Sequence, residues 1–281
     1  MSEAHALMLA ALSAICFGTA LVSAKFGLRA LDARSGAAIS IPTATVLLVL
    51  AAPFALDVSG FTLTAALIFA AVGLFFPALV TLITFAANDR LGPSVTATVS
   101  STAPLFALLA ALLILGERIP ARALVATGGV VAGVALLSWR GGTLMRRALW
   151  LPVAGAALRG LVQVVVKAGL ALWPNPFAAS LIGYGVSSVT VTLAARGRQR
   201  LPERSAVLWF MATGLLNGLA VLLMYAALSA APVSLVAPLV AGYPLVTVLL
   251  GAALLHEERL TVRSVAGALL IVGAIAYLVA G

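Results

Sequence analysis

Apolar residues fill most of this chain in long runs, and short polar turns separate the runs. A helix that crosses a lipid bilayer needs about 20 predominantly apolar residues. Breaks at charge clusters and at proline or glycine turns leave ten runs near that length. The predicted spans are residues 6–29, 35–56, 62–86, 93–115, 121–139, 149–172, 176–195, 205–228, 232–255 and 262–280. The intervals between spans are short, which favours antiparallel neighbours in one helical bundle.

The composition places the bundle in a membrane. Of the 281 residues, 63% are hydrophobic and only 9% are charged. A soluble domain carries about a quarter charged residues, so this chain has too few to cover a surface that faces water. Spanning structures must satisfy their backbone hydrogen bonds internally, as helices do. We therefore expect an all-α polytopic membrane protein.

A set of lysine, glycine, serine, proline and glutamate residues recurs in the same order in the second half of the chain. Lys25 and Gly27 return 142 positions later, and Ser94, Pro104 and Glu117 return 140 positions later. The recurrence divides the chain into residues 1–141 and residues 148–281, each with five spans. Because five is odd, the second half enters the membrane upside down. Such inverted repeats are typical of transporters, with the substrate site near the midplane.

The repeated motifs allow a comparison with known families. In the first half they are Gly18 with Lys25-Phe26-Gly27-Leu28, Pro93-Ser94 and Leu115-Gly116-Glu117-Arg118-Ile119. In the second half they are Lys167-Ala168-Gly169-Leu170, Ala231-Pro232-Val233-Ser234 and Glu257-Glu258-Arg259-Leu260. Over nearly the whole chain this order resembles the drug/metabolite transporter superfamily, specifically its ten-span EamA-type exporters. The second copy departs from the pattern, since His256 or Glu257 replaces the glycine of Gly-Glu-Arg.

The basic residues of the loops predict how the protein is oriented in the membrane. Twelve arginines belong to the loops opposite the termini, and only Arg118 and Arg122 belong to the terminal side. Cytoplasmic loops carry the excess of basic residues, so both termini are predicted outside the cytoplasm of a bacterial inner membrane. The resemblance implies the opposite orientation, with cytoplasmic termini.

One basic side chain lies at the centre of the sixth span. Placing Arg159 at that depth costs roughly 2.5–3.5 kcal/mol on insertion scales, so a function is expected. Gln163 and Lys167 follow at helical spacing and extend a polar stripe. The stripe predicts the cationic wall of a cavity that binds a carboxylate or phosphate. The alternative is a structural arginine bonded to backbone carbonyls of a broken helix.

The other candidate positions leave two interpretations open. Lys25 and Lys167 lie near span ends, where they can contact substrate or extend to the membrane interface. Prolines within spans expose carbonyls to a substrate or simply bend a packed helix. Nearby hydroxyl, amide and aromatic side chains can line the cavity or serve packing. The candidates are Pro77, Pro104 and Pro244 as kinks or gates, and Ser100, Ser101, Asn217, Tyr225 and Tyr243 as substrate contacts.

The positions of the acidic residues narrow the substrate class. All eight lie in loops or near span ends, so none is predicted at mid-membrane. An exporter of lipophilic cations would need such a carboxylate as counter-ion and proton carrier. We therefore predict a secondary transporter that exports small anionic or zwitterionic metabolites such as amino acids, by alternating access. Facilitated diffusion, exchange and proton antiport remain open, and a multidrug exporter is the second hypothesis.

A membrane-embedded enzyme or assembly factor is the third hypothesis, and the sequence argues against it. His5 and His256 lie at opposite ends of the chain and share no metal-ligand spacing. No motif resembles an ATP-binding loop. We expect no catalytic residue, cofactor or metal. The net charge of +9 comes from scattered arginines, so nucleic acid is not an expected partner. The expected partners are a small-molecule substrate and the lipid bilayer, with the protein acting as a monomer.

Overall fold

The computed structural model describes residues 3–91, 99–138, 149–194, 203–255 and 262–280. Twelve α-helices organise these residues. They are α1 (Glu3–Gly27), α2 (Ala33–Ala55), α3 (Leu63–Phe75), α4 (Ala78–Leu91), α5 (Ala103–Ala110), α6 (Ala121–Ser138), α7 (Trp150–Leu172), α8 (Pro176–Ala194), α9 (Arg204–Ala230), α10 (Val233–Val240), α11 (Tyr243–Leu255) and α12 (Val262–Ala280). One π-helical turn, Ala111–Leu115, continues α5.

The helices account for ten membrane spans. Within the described residues, eight helices are long and apolar enough to cross a bilayer, and two shorter apolar helices cover Ala103–Leu115 and Ala121–Leu136. The third span consists of α3 and α4, and the ninth of α10 and α11. The predicted all-α polytopic fold is therefore confirmed. The predicted start of the fourth span, at residue 93, lies outside the described residues.

Corresponding glycines pack the two halves against each other. A Cβ added to Gly18 on α1 would lie 2.7 Å from the carbonyl oxygen of Tyr243 on α11. A Cβ added to Gly160 on α7 would lie 2.7 Å from the carbonyl oxygen of Ala103 on α5. Gly160 follows Gly18 by 142 positions, and Tyr243 follows Ala103 by 140. In each contact, the first helix of one half packs against the fourth span of the other half. Two inverted repeats are expected to show such reciprocal contacts.

Helices α6 and α12 form an antiparallel pair at the periphery. A Cβ on Gly129 would lie 2.7 Å from the Cβ of Ala274, and one on Gly133 would lie 2.7 Å from Cγ1 of Ile271. On its outer faces the bundle leaves large apolar side chains uncovered, including Phe54, which is 92% exposed. Contiguous apolar surface of this kind is expected where lipid, and not water, covers the protein.

The two ends of the bundle can be told apart by their contacts. At the end that holds Glu3, called here the Glu3 end, Arg122 forms an ion pair with Glu3 at 3.5 Å. At the same end, Trp173 Nε1 donates to the carbonyl oxygen of Ser59 at 3.0 Å. The opposite end, called the Arg29 end, lies where α1 stops. The helix directions place Arg29, Arg34, Arg90, Arg204 and Arg263 there.

The chain breaks beside the three prolines singled out above. Helices α3 and α4 are separated at the cis Phe76–Pro77 bond. Turns at residues 101–102 and 241–242 precede α5 and α11, and Pro104 and Pro244 occupy the first turns of those helices. A proline is tolerated there because its missing N–H would have no helical partner. The breaks are positioned toward the interior, where the two halves meet.

Candidate substrate cavity

A cavity of about 350 Å³ lies between the two halves of the bundle. The first half contributes α1, α4 and α5 to its wall, and the second half contributes α7, α9, α10 and α11. Tyr184 adds a side chain from α8. The cavity therefore lies at the repeat interface, where transporters of this architecture bind substrate.

The cavity leads from the middle of the bundle toward the Arg29 end. Along α1 its lining runs from Phe17 to Arg29, the last part of the span. Along α4 it runs from Pro77 at the helix break to Thr84. The first half of α1, which starts at Glu3, contributes no lining residue.

Arg159 brings a half-buried positive charge to this wall. Its Nη1 donates to the hydroxyl of Tyr243 at 3.3 Å, and its guanidinium lies 5.8 Å from the centroid of that ring. The Nε atom is buried and has no hydrogen-bond partner. Gly160, the next residue, lets α7 approach α5 closely, so the arginine is held at the cavity by helix packing. A guanidinium with an unused donor is well suited to bind a carboxylate or phosphate.

Two buried polar side chains of the same cavity also lack partners. Gln163 is 3% exposed and its Oε1 accepts no hydrogen bond. Tyr184 is 2% exposed and its hydroxyl has no partner. Both side chains line the cavity. Since an unpaired buried polar atom is costly, these positions indicate that a polar ligand completes the hydrogen bonding.

The structure brings most of the predicted site residues to the same cavity. They are Lys25, Pro77, Ser100, Pro104, Arg159, Gln163, Asn217, Tyr243 and Pro244. Asn217 follows Pro77 by 140 positions, so corresponding positions of the two halves line the same cavity. No aspartate or glutamate is found among the described lining residues. The charged groups of the wall are Lys25, Arg29 and Arg159, and all are basic.

Three predicted residues lie outside the lining. Ser101 and Tyr225 are buried in the packed interior. Lys167 points away, and its Nζ donates to the carbonyl oxygens of Leu228 at 2.6 Å and Ala231 at 2.9 Å. The three residues of the polar stripe therefore do not all face the cavity. Each step of four residues along an α-helix rotates the side chain by about 40° around the helix axis. Eight residues beyond Arg159, the helix presents Lys167 to a different neighbour.

Several polar residues of the cavity wall were not selected from the sequence, among them Arg29 and Tyr184. Arg29 was counted only as a loop charge, but it lines the cavity and lies 5.1 Å from the ring centroid of Phe26. Tyr184 lies in the middle of the predicted span 176–195, and a search for every aromatic hydroxyl at mid-span would have found it. Hydroxyls of Thr81, Thr84, Thr213 and Thr247 also line the wall, but threonines bonded to their own helix are too common to stand out.

A helical bundle of ten spans with a cavity between inverted repeats defines a multi-pass membrane protein of the transporter class. The EamA-like transporter family matches the chain twice, over residues 4–139 and 146–280. The chain therefore belongs to this family, and the predicted membership of the drug/metabolite transporter superfamily is confirmed.

Comparisons with individual proteins add information on the fold alone. No curated protein matches the chain. A crystal structure, titled only as that of a protein, has a TM-score of 0.81 with 17% sequence identity. The match covers 99% of this chain and 98% of the other. At that level of identity the ten-span architecture is shared, and the substrate of this chain must be inferred from its own cavity.

Proposed function

We propose that this protein is a secondary transporter that exports small anionic or zwitterionic metabolites, such as amino acids, by alternating access. The observation that supports this most directly is the charge of the cavity. Arg159 reaches it with an unused buried donor, and the described lining carries basic side chains without an aspartate or glutamate. An anion would be attracted to these basic side chains, whereas a lipophilic cation would be repelled by them.

The polar and apolar parts of the wall are consistent with an amphipathic solute. Gln163 Oε1 offers an acceptor for a hydroxyl or ammonium group beside the arginine. Phe17, Phe76 and Met224 provide apolar surface on the same cavity. A small metabolite with an acidic group, a hydrogen-bond donor and an apolar body would satisfy all three features.

Alternating access is supported by the combination of inverted repeats with an asymmetric cavity. The cavity leads toward the Arg29 end, and hydrogen bonds join the loops of the Glu3 end. In an inverted-repeat transporter, exchanging the conformations of the two halves would open the other end around the same site. We propose that the described conformation is one of two such states.

Uptake into proteoliposomes tests the proposal. The purified protein would be offered labelled amino acids, small organic acids and one lipophilic cation. Arg159→Gln keeps a polar side chain but removes the charge, and we expect it to lower transport of the anionic or zwitterionic solute about tenfold or more. Arg263→Gln is the matched control, because Arg263 is exposed on α12 and does not line the cavity.

Two results would contradict the proposal. Transport of the lipophilic cation alone would favour the multidrug hypothesis. Unchanged transport by Arg159→Gln would assign this arginine a structural role.

For the orientation we propose the bacterial inner membrane with both termini outside the cytoplasm. Among the described arginines, Arg29, Arg34, Arg90, Arg204 and Arg263 lie at one end of the bundle, against Arg118 and Arg122 at the other. Arg122 is in addition paired with Glu3. The positive-inside rule then places the Arg29 end, and the cavity opening, on the cytoplasmic side. A reporter fused to residue 281 that is active only in the cytoplasm should remain inactive.

A further inference from the structure

A charged pair holds the corner between α9 and α10 at the Glu3 end. Lys167 Nζ donates to the carbonyl oxygens of Leu228 at 2.6 Å and Ala231 at 2.9 Å, where α9 stops. Glu117 Oε1 accepts from the backbone N–H of Val233 at 3.1 Å, where α10 begins. Its Oε2 accepts from the N–H of Ser234 at 3.4 Å. Two side chains thus bind both sides of one corner.

The signs of the two charges suit the helix ends that they bind. The last carbonyls of a helix and its first N–H groups have no partner within the helix. The carboxyl end of a helix attracts cations and its amino end attracts anions. Lys167 occupies the carboxyl end of α9, and Glu117 occupies the amino end of α10. Neither side chain is fully exposed, so these charge-assisted bonds are only partly screened by solvent.

Glu117 also joins the two halves of the molecule, whereas Lys167 and the carbonyls that it binds all belong to the second half. Glu117 follows the π-helical turn that continues α5, and Gly116 between them adopts φ of +63°. An L side chain rarely adopts this conformation, which explains the glycine. Glu117 belongs to the first half and its partners to the second, so the contact must break if the halves separate at this end.

We propose that Lys167 and Glu117 form a latch that keeps the Glu3 end closed while the cavity opens toward the Arg29 end. The inference rests on the alternating-access part of the proposed function. Lys25 corresponds to Lys167 in the first half, yet in this conformation it lines the cavity. Lys167, by contrast, binds the carboxyl end of α9. Opening the Glu3 end between the two halves requires the two hydrogen bonds of Glu117 to be broken.

The latch can be tested by the side from which a cavity residue is labelled. Cys16 is the only cysteine, so Cys16→Ala with Leu21→Cys leaves one thiol at a partly exposed position of the cavity wall. A membrane-impermeant thiol reagent would be added to right-side-out and to inverted membrane vesicles. The parent should label faster from the Arg29 end. Lys167→Gln should raise the labelling rate from the Glu3 end about tenfold or more, because it loosens the corner whose N–H groups Glu117 binds from the other half.

The matched control is Arg122→Gln, which removes an exposed ion pair at the same end and should label like the parent. Glu117→Gln removes the charge and retains one acceptor oxygen, and it decides the question if Lys167→Gln does not yield monodisperse protein. Parent-like labelling of Glu117→Gln or Lys167→Gln from both sides would overturn the latch. So would labelling of Arg122→Gln at the rate of Lys167→Gln.

The labelling assay uses no substrate, which separates the two proposals. A shift in labelling together with failed uptake of anionic solutes would keep the latch and reject the substrate class. Equal labelling of the parent from both ends would reject alternating access and the latch with it.

Discussion

Gly160 determines how closely the helix that carries Arg159 can approach α5. A Cβ at this position would lie 2.7 Å from the carbonyl oxygen of Ala103 and 2.7 Å from the backbone nitrogen of Ala107. Both neighbours are backbone atoms of a helix, so neither can rotate away. We therefore expect Gly160→Ala to push α7 and α5 apart and to displace the Arg159 side chain from its position beside Tyr243.

The size of the effect follows from the packing. Extra methyl groups in a packed interior typically cost about 1–3 kcal/mol. For a chain of this size class, 1 kcal/mol shifts the midpoint of thermal unfolding by roughly 2–4 °C. Gly128→Ala is the matched control, because an added Cβ there meets no atom within 4 Å. Relative to that control, the unfolding temperature of Gly160→Ala should fall by about 2–12 °C.

Both variants would be purified in the same detergent and heated while intrinsic fluorescence is recorded, and their uptake rates would be compared in proteoliposomes. Gly18→Ala should behave like Gly160→Ala, since the added Cβ would lie 2.6 Å from the Cβ of Val246. The packing argument is refuted if Gly160→Ala unfolds at or above the temperature of Gly128→Ala, or if its transport is undiminished.

Two smaller substitutions test the site and the Glu3 end. Tyr243→Phe keeps the ring beside Arg159 but removes the hydroxyl that accepts from Nη1. The KM for the transported anion should therefore rise about fivefold, which corresponds to a lost hydrogen bond of about 1 kcal/mol. An unchanged KM would argue against this contact. Asn175→Ala removes the Oδ1 atom that accepts from the Ala178 N–H and the amide that donates to the Asp57 carbonyl. The free energy of unfolding, measured by thermal unfolding, should therefore fall by about 1–2 kcal/mol. Asn175→Asp keeps the Oδ1 acceptor and should recover part of that stability; recovery of none would contradict the capping role.

The number of spans and their inverted order could be predicted from the sequence. Hydrophobic length is a one-dimensional property, and a bilayer of fixed thickness converts it directly into spans. The repeat of Lys25 as Lys167 and of Glu117 as Glu257 likewise required only the order of residues. The packing of Gly18 and Gly160 against corresponding helices shows the same symmetry in three dimensions.

Local sequence could not decide which prolines interrupt a helix. Pro42 and Pro53 lie inside a continuous α2, whereas the chain breaks at Pro77 and just before Pro104. Every one of these prolines removes the same backbone donor. The difference depends on the neighbours, because the breaks that border the cavity lie where helices of the two halves meet.

The packing of the helices also decided which of the candidate residues line the cavity. Depth along the span selected Arg159, Gln163 and Lys167, and depth was enough to identify them as unusual. Only the packed neighbours determined that two of them line a cavity while Lys167 binds the end of α9. A sequence records spacing along one helix, whereas a cavity is formed by side chains from seven or more helices, and their mutual rotation depends on contacts between residues far apart in the chain.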